Sequence, residues 1–370
     1  MKVLFQSRSN LYSAPGGDTT QIEKTKEYLE KLGVQVDISI ELEPNIADYD
    51  LIHLFNLMDP QELYVQIAHA KRHNKKVALS TIYGLYTEFE RKARGGVAQK
   101  AANILSPYAI NYIKTFLRHL KDGRMNKGVY YMLFNGYYRM AKKVTDHVDV
   151  FLPNSYSEMK RVEKEYKLQN YKYVVVPNAV DVNLFDAEKD DIDNVENELI
   201  KYKDCVLCVA RIEGRKSTLN LIRAVGNRYP LVLIGNETKN DLAFIRKIHE
   251  EAGPNVYFLG PIRHDELPKY YKMAKVHALV SWMETPGLSS LEAAAMGINI
   301  VITEKGDTRD YFEDYAFYCQ PDNVDSIRTA IDKAYNAPFD PRLKQKIQDE
   351  YTWELTAKKT FEGYELALGQ

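Results

Sequence analysis

The sequence is sparing with cysteine, carrying three among 370 residues. An odd and small number argues against a disulfide framework and fits a reducing, cytoplasmic compartment. Long apolar runs are missing too. The N-terminal stretch Met1-Lys2-Val3-Leu4-Phe5-Gln6-Ser7 passes from a short apolar run into polar, glycine-containing chain, without the extended apolar region or small-residue cleavage site of a signal peptide. No uninterrupted apolar segment approaches the roughly 18 residues that a spanning helix needs. The eight histidines show no close ligand spacing, and Asp191-Ile192-Asp193 sits in an acidic stretch that reads as solvated. Neither a metal nor a cofactor is therefore expected. Cys205 and Cys208 imitate a redox pair, but they fall in the apolar run Cys205-Val206-Leu207-Cys208-Val209, where residues three apart point to opposite faces of a strand. They read as core.

Net charge is also nearly absent, at −1, but it is unevenly placed. From Arg91 to Lys143 there are twelve Lys or Arg against a single acid, Asp122. The rest of the chain must carry the compensating negative charge. Such asymmetry points to an anionic partner or surface for that one region. The same region holds the aromatic run Val129-Tyr130-Tyr131-Met132-Leu133-Phe134-Asn135-Gly136-Tyr137-Tyr138. Cations with aromatic rings suit the headgroup level of an anionic membrane. A solvated helix face over a Tyr-rich core is the bland alternative. Nucleic acid is disfavoured because no base-reading motif accompanies the charge.

What is present is a repeated strand–loop–helix pattern, the mark of a parallel sheet covered on both faces. Strands are predicted at 2–6, 34–40, 51–54 and 76–81, with helices at 19–32 and 60–74, and Gly33 as a helix C-cap. Phe151-Leu152-Pro153 and Tyr173 to Val176 read as the last strands of this first sheet. Acidic, weakly periodic chain from Asp181 to Asn197 reads as a linker. A second series follows, with strands at 205–210, 231–234, 256–259, 276–280 and 299–302. The expected fold is therefore α/β: two doubly wound Rossmann-like domains facing a central cleft, over 1–185 and 198–349, with a final helix at 350–370 packing back on the first. Ligands of such sheets bind at the carboxyl ends of the strands.

Two features carry chemistry. Arg211 follows the strand 205–210, and Lys216 comes five residues later, just before a helix. Cations at a strand end beside a helix N-terminus suit a diphosphate, although two basic residues after a strand are often simply solvated. The second feature is the run from Ser281 to Gly297, with Glu284 in a loop after a strand and Glu292 in the early turns of a helix. A carboxylate can accept from paired hydroxyls, so Glu292 could hold a ribose and Glu284 a sugar ring. Gly287 between them would let backbone amides approach a ligand. The plain alternative is a loop acid and a dipole-complementing acid.

Together these residues resemble the retaining GT-B glycosyltransferases of family 4, the group 1 glycosyltransferases. The resemblance runs through nearly the whole chain: Gly16-Gly17 after the first strand, Val176-Pro177-Asn178-Ala179-Val180-Asp181 with Phe185, Arg-x4-Lys at Arg211 and Lys216, Glu-x7-Glu at Glu284 and Glu292 before an Ala-rich helix and Gly297, and Trp353-Glu354 with Tyr364. It implies that Arg211 and Lys216 hold the donor diphosphate and stabilise its charge as it leaves. Glu292 would bind ribose, and Glu284 donor-sugar hydroxyls near the reacting carbon, with the Gly287, Leu288 and Ser289 amides nearby. Gly16 and Gly17 would face the same diphosphate or the acceptor. A nucleotide sugar is the implied donor and a saccharide or lipid-linked molecule the implied acceptor, in surface polysaccharide or glycolipid synthesis.

Two departures stand out. Relatives often have a histidine after the fourth strand, where this chain has Ser80-Thr81-Ile82-Tyr83-Gly84-Leu85-Tyr86, so no histidine is assigned to catalysis. Thr285-Pro286-Gly287 stands where Pro-Phe-Gly is common, which leaves the donor sugar open. The rival readings are a nucleotide-sugar 2-epimerase of the same fold and a non-catalytic sugar-nucleotide-binding scaffold.

Overall fold

Short apolar runs rich in Val, Ile and Leu, bounded by Gly, Pro, Asn and Asp, form strands that are buried on both faces, as a parallel sheet requires. The computed structural model describes residues 1–84, 86–93, 99, 103–188 and 199–369. They fall into two compact units, one of Met1–Thr87, Gly96–Asn178 and Trp353–Gln370, the other of Glu88–Gly95 and Ala179–Thr352.

The first unit is built on β1 (Lys2–Gln6), β2 (Gln35–Ser39), β3 (Leu51–Phe55), β4 (Lys76–Ser80) and β5 (Val150–Phe151), with α1 (Gly17–Lys31) and α2 (Pro60–Arg72) as crossovers. The strand order is β2-β1-β3-β4-β5, with parallel pairing throughout. The chain reverses direction across the sheet between β1 and β3, and their carboxyl ends form the ligand-bearing edge. After α3 (Thr87–Lys92) come α4 (Pro107–Asp122), α5 (Lys127–Asn135) and α6 (Tyr137–Thr145), then α7 (Tyr156–Tyr166) after β5. The strand expected at Tyr173–Val176 is only a single bridge from Tyr173 to Phe151. The Val174 amide bonds Phe151 O at 3.0 Å and the Val176 amide Pro153 O at 2.8 Å, but Pro153 has no N–H to return, which stops the ladder. The aromatic run is divided between core and surface. Val129, Met132 and Tyr137 are buried and Tyr131 stacks on Tyr64 with ring centroids 4.4 Å apart, while Tyr130 and Phe134 are exposed.

The second unit holds β6 (Cys205–Val209), α8 (Thr218–Val225), β7 (Leu231–Ile234), α9 (Leu242–Glu251), β8 (Val256–Gly260), α10 (Leu267–Met273), β9 (Ala274–Leu279), α11 (Leu288–Ala295), β10 (Asn299–Thr303), α12 (Thr308–Phe312), β11 (Phe317–Cys319), α13 (Val324–Asn336) and α14 (Pro341–Glu350). Its order, β11-β10-β9-β6-β7-β8, puts the switch point between β6 and β9. The short edge strand β11 was not legible in the sequence. Cys205 and Cys208 lie in different core clusters on the two faces of β6, and burial pushes both thiols up to about 12.

The first domain does not run unbroken to residue 185. Ala179–Phe185 packs with the second unit, because buried Phe185 sits edge-on to Tyr271 and His264. Glu88–Gly95 does so as well: Glu88 pairs with Lys305 at 2.9 Å, Lys92 with Asp322 at 2.9 Å, and Phe89 lies 6.1 Å from Trp282. Of the expected linker, residues 189–197, Asp191 and Asp193 among them, lie outside the described residues.

The last helix, α15 (Trp353–Leu368), is counted with the first unit. Tyr364 meets β3 through a 2.7 Å hydrogen bond between its hydroxyl and His53 Nδ1, while His53 Nε2 meets Ser80 Oγ at 2.9 Å. Complete burial lowers the His53 pKa to about 3. A Cβ on Gly363 would come within 2.4 Å of the Leu152 side chain, which would have to shift to admit one.

Candidate active site

At the switch point of the second unit, Ala210 and Arg211 follow the end of β6, and Gly214–Lys216 closes a 3₁₀ turn ahead of α8. Ser217 ends that turn in the left-handed region (φ +53), and its hydroxyl donates to Pro321 O at 2.7 Å. From the neighbouring strand, the Trp282 amide donates to Arg215 O at 2.9 Å. This one backbone bond ties the loop after β9 to the turn after β6. As a result Lys216 Nζ lies 2.5 Å from Glu284 Oε1, with side chains 24% and 8% exposed. Arg211 is exposed at the strand end and is not part of this pair.

The backbone of Glu284 is fixed from the other side. Its amide donates to Lys305 O at 3.1 Å and its carbonyl accepts from the Asp307 amide at 3.0 Å. Between them Gly306 has φ +101, and a Cβ there would lie 2.1 Å from Glu284 O, a position open only to glycine. Gly287 (φ +86) caps α11 with no side-chain hydrogen bond. The first internal bond of that helix is from the Ser290 amide to Gly287 O, so the Leu288 and Ser289 amides precede it and, with the helix dipole, favour an anion.

Glu292, 7% exposed, is held on both oxygens. The hydroxyl of Tyr271, which is fully buried, lies 2.7 Å from Oε2 and 3.0 Å from Ser289 O, and His264 Nε2 lies 2.8 Å from Oε1. Burial, reinforced by the Glu292 charge, raises the Tyr271 pKa well above its usual value, so the phenol stays a proton donor. Thus Lys216, Glu284, Gly287, Leu288, Ser289 and Glu292 all belong to the loops and helix that converge at the β6–β9 switch point.

Gly16 and Gly17 belong to the first unit, where Gly16 caps α1 and its amide donates to Thr19 Oγ1 at 3.1 Å. The loop that carries them is organised by Arg8, whose guanidinium pairs with Asp18 at 2.7 and 3.1 Å and bonds Asn10 Oδ1 and Ala14 O. Arg8, Tyr271 and His264 were all missed in the sequence. Arg8 had a usable signal, a cation two residues after the first strand. Tyr271 had none, since its partner lies far along the chain.

The group 1 glycosyl transferase family model matches residues 190–351. A D-inositol 3-phosphate glycosyltransferase of Corynebacterium jeikeium is 29% identical over 45% of this chain and 43% of its own length. The chain spans about half the length of the curated relatives it matches first. Among solved structures, a sucrose-phosphate synthase from Thermosynechococcus elongatus aligns with a TM-score of 0.74 at 16% identity, covering 100% and 99% of the two chains. HepE from Anabaena, solved with UDP, aligns at 0.68 and 17%, covering 99% and 100%. In its fold the chain is a GT-B protein, and it resembles the group 1 glycosyl transferases, whose family match lies on its second unit.

Proposed function

We propose that the chain is a retaining glycosyltransferase that moves a sugar from a nucleotide diphosphate sugar to a hydroxyl of a saccharide or lipid-linked acceptor, in surface polysaccharide or glycolipid synthesis. The observation that carries this reading is the Lys216–Glu284 pair beside the Leu288–Ser289 amides, with Glu292 held by Tyr271 and His264. Charged, preorganised groups for a diphosphate, a sugar and a ribose stand together there.

In this reading Glu292 accepts from the ribose hydroxyls, and Glu284 from a hydroxyl of the donor sugar. Lys216, an ammonium with three donors, bridges Glu284 and a diphosphate oxygen, while Arg211 and the first amides of α11 share the phosphate charge. The bond from the anomeric carbon to the diphosphate oxygen breaks as the acceptor oxygen attacks the same face. The acceptor proton passes to the departing diphosphate oxygen. Negative charge grows on the diphosphate, so fixed cations act most strongly in the transition state, without a metal. The enzyme would work in the cytoplasm, in part at the inner face of the membrane.

Incubation with a panel of UDP-, GDP- and ADP-sugars tests the proposal. Release of nucleoside diphosphate that quickens with acceptor, and product of unchanged anomeric configuration, is expected. Epimerised donor would instead establish the isomerase, and absence of turnover with every donor would overturn the transferase.

A further inference from the structure

A buried carboxylate governs the turn that leaves β4. Glu158, in the first turn of α7, is completely shielded from solvent. One of its oxygens, Oε2, accepts from the Asn154 amide at 2.7 Å, while the Glu158 amide donates to Ser155 Oγ at 2.9 Å. These bonds cap the helix, as an acid three places after a capping serine commonly does. The second oxygen has no part in the cap. Oε1 accepts from the Thr81 hydroxyl at 2.5 Å and from the Tyr83 amide at 2.6 Å, 77 and 75 residues away along the chain.

Between those two residues stands Ile82, with φ +41. A β-branched residue is an outlier in the left-handed region and persists there only where its surroundings leave no alternative. Both neighbours are fixed. Thr81 is fully buried, and its carbonyl accepts from the Leu57 amide at 2.8 Å. Tyr83 is buried with its ring edge-on to Tyr166, and its carbonyl accepts from Arg161 Nη2 at 3.3 Å, one turn beyond Glu158 on the same helix. Peptide groups are trans, so an amide engaged by Glu158 turns the Ile82 carbonyl away from that carboxylate. In the same way, the Thr81 carbonyl engaged by Leu57 turns the Ile82 N–H away from Leu57. Neither group of Ile82, which is partly buried, has a hydrogen bond among the described residues.

The arrangement extends beyond one turn. Asn154, whose amide Glu158 holds, accepts from Gln21 of α1 at 2.9 Å, so the turns after β4 and β5 and the helix that Gly16 caps are tied together at the carboxyl edge of the sheet. An open N–H and an open C=O on one residue suit a hydroxyl, which both donates and accepts. A phosphate would meet the carbonyl oxygen with like charge. We propose that Glu158 is a positioning residue, holding Ile82 in the left-handed conformation so that the Ile82 peptide groups bind a hydroxyl of the acceptor saccharide. This rests on the transferase reading.

Acceptor kinetics test it, with octyl glucoside, octyl galactoside and octyl mannoside as probes and the donor that the sugar-nucleotide panel identifies. Glu158→Gln sets an amide N–H against donors and should raise KM for the glycoside about tenfold or more, with nucleoside diphosphate affinity unchanged within about twofold. Thr81→Val leaves the helix cap intact and should raise the same KM about threefold, which keeps the test open if Glu158→Gln unfolds. Ile82→Gly added to either variant should restore most of the loss, because glycine takes φ +41 without side-chain strain. A carboxylate that only caps α7 would lower the thermal melt, leave KM alone and gain nothing from the glycine. Unchanged KM in both variants, or no recovery with Ile82→Gly, therefore overturns the proposal. So does a wild type that releases nucleoside diphosphate yet transfers to none of the glycosides. No release from any donor refutes the transferase reading and this proposal with it, an outcome the wild type alone distinguishes.

Discussion

Tyr271→Phe removes one oxygen and nothing else, which makes it the sharpest probe of the Glu292 site. The ring is fully buried, so phenylalanine fits the space, but Glu292 Oε2 and Ser289 O lose the hydroxyl that lies 2.7 and 3.0 Å away. Hydrogen bonds to charged groups contribute ~1.5–3 kcal/mol, and partial access of water to Glu292 places the loss near 2 kcal/mol. For a unit of roughly 150–250 residues this lowers Tm by about 4–8 °C. A looser Glu292 should also weaken nucleoside diphosphate binding about tenfold, equivalent to ~1.4 kcal/mol. Differential scanning calorimetry and titration calorimetry with UDP and GDP read the two effects separately. A fall in Tm with an unchanged Kd would show that the network is structural and that Glu292 does not touch the nucleotide. No change in either would refute the buried hydrogen bond itself.

Lys216→Met should lower kcat/KM by roughly 10²-fold or more, and Arg211→Ala by a similar factor, because each removes charge from the leaving group. Activity within threefold of wild type in both, in a coupled nucleoside diphosphate assay, would remove the diphosphate assignment. Gly306→Val should both strain a φ of +101 and drive a Cβ into Glu284 O, so activity should fall with little nucleotide bound, as equilibrium dialysis would report. His53 sets a pH dependence. Its native pKa is held near 3, below an unfolded value of about 6.5, so the neutral ring's contribution is complete above about pH 6.5 and is lost as pH falls towards 3. Urea unfolding between about pH 6 and pH 4 should show a slope that His53→Gln reduces by about one proton, or ~1.4 kcal/mol per pH unit.

Much of the sheet architecture was readable because buried parallel strands leave unbroken apolar runs. Leu231–Ile234 matches its expected span residue for residue. Edges were not, since β11 has three residues and Tyr173–Val176 depends on whether Pro153 can answer with an amide. The positions of Arg211, Lys216 and Glu284 in loops after strands, and of Glu292 in a helix, were legible from the sequence. Their supporting groups were not, because Tyr271 and Trp282 act through contacts across the sheet that no local spacing records. The basic region was legible as charge, but the division of its aromatic run between core and surface was not, because Tyr131 owes its place to Tyr64 in α2.

The placement of α15 also orders events during synthesis. Its residues 353–368 complete the first unit, pressing Tyr364 on His53 and Gly363 on Leu152, yet they leave the ribosome only after all of Ala179–Thr352. The second unit can therefore finish folding while the first still exposes the patch around His53 and Leu152. A chaperone that shields one region of the nascent chain has most to protect there, in the half that was made first and closes last.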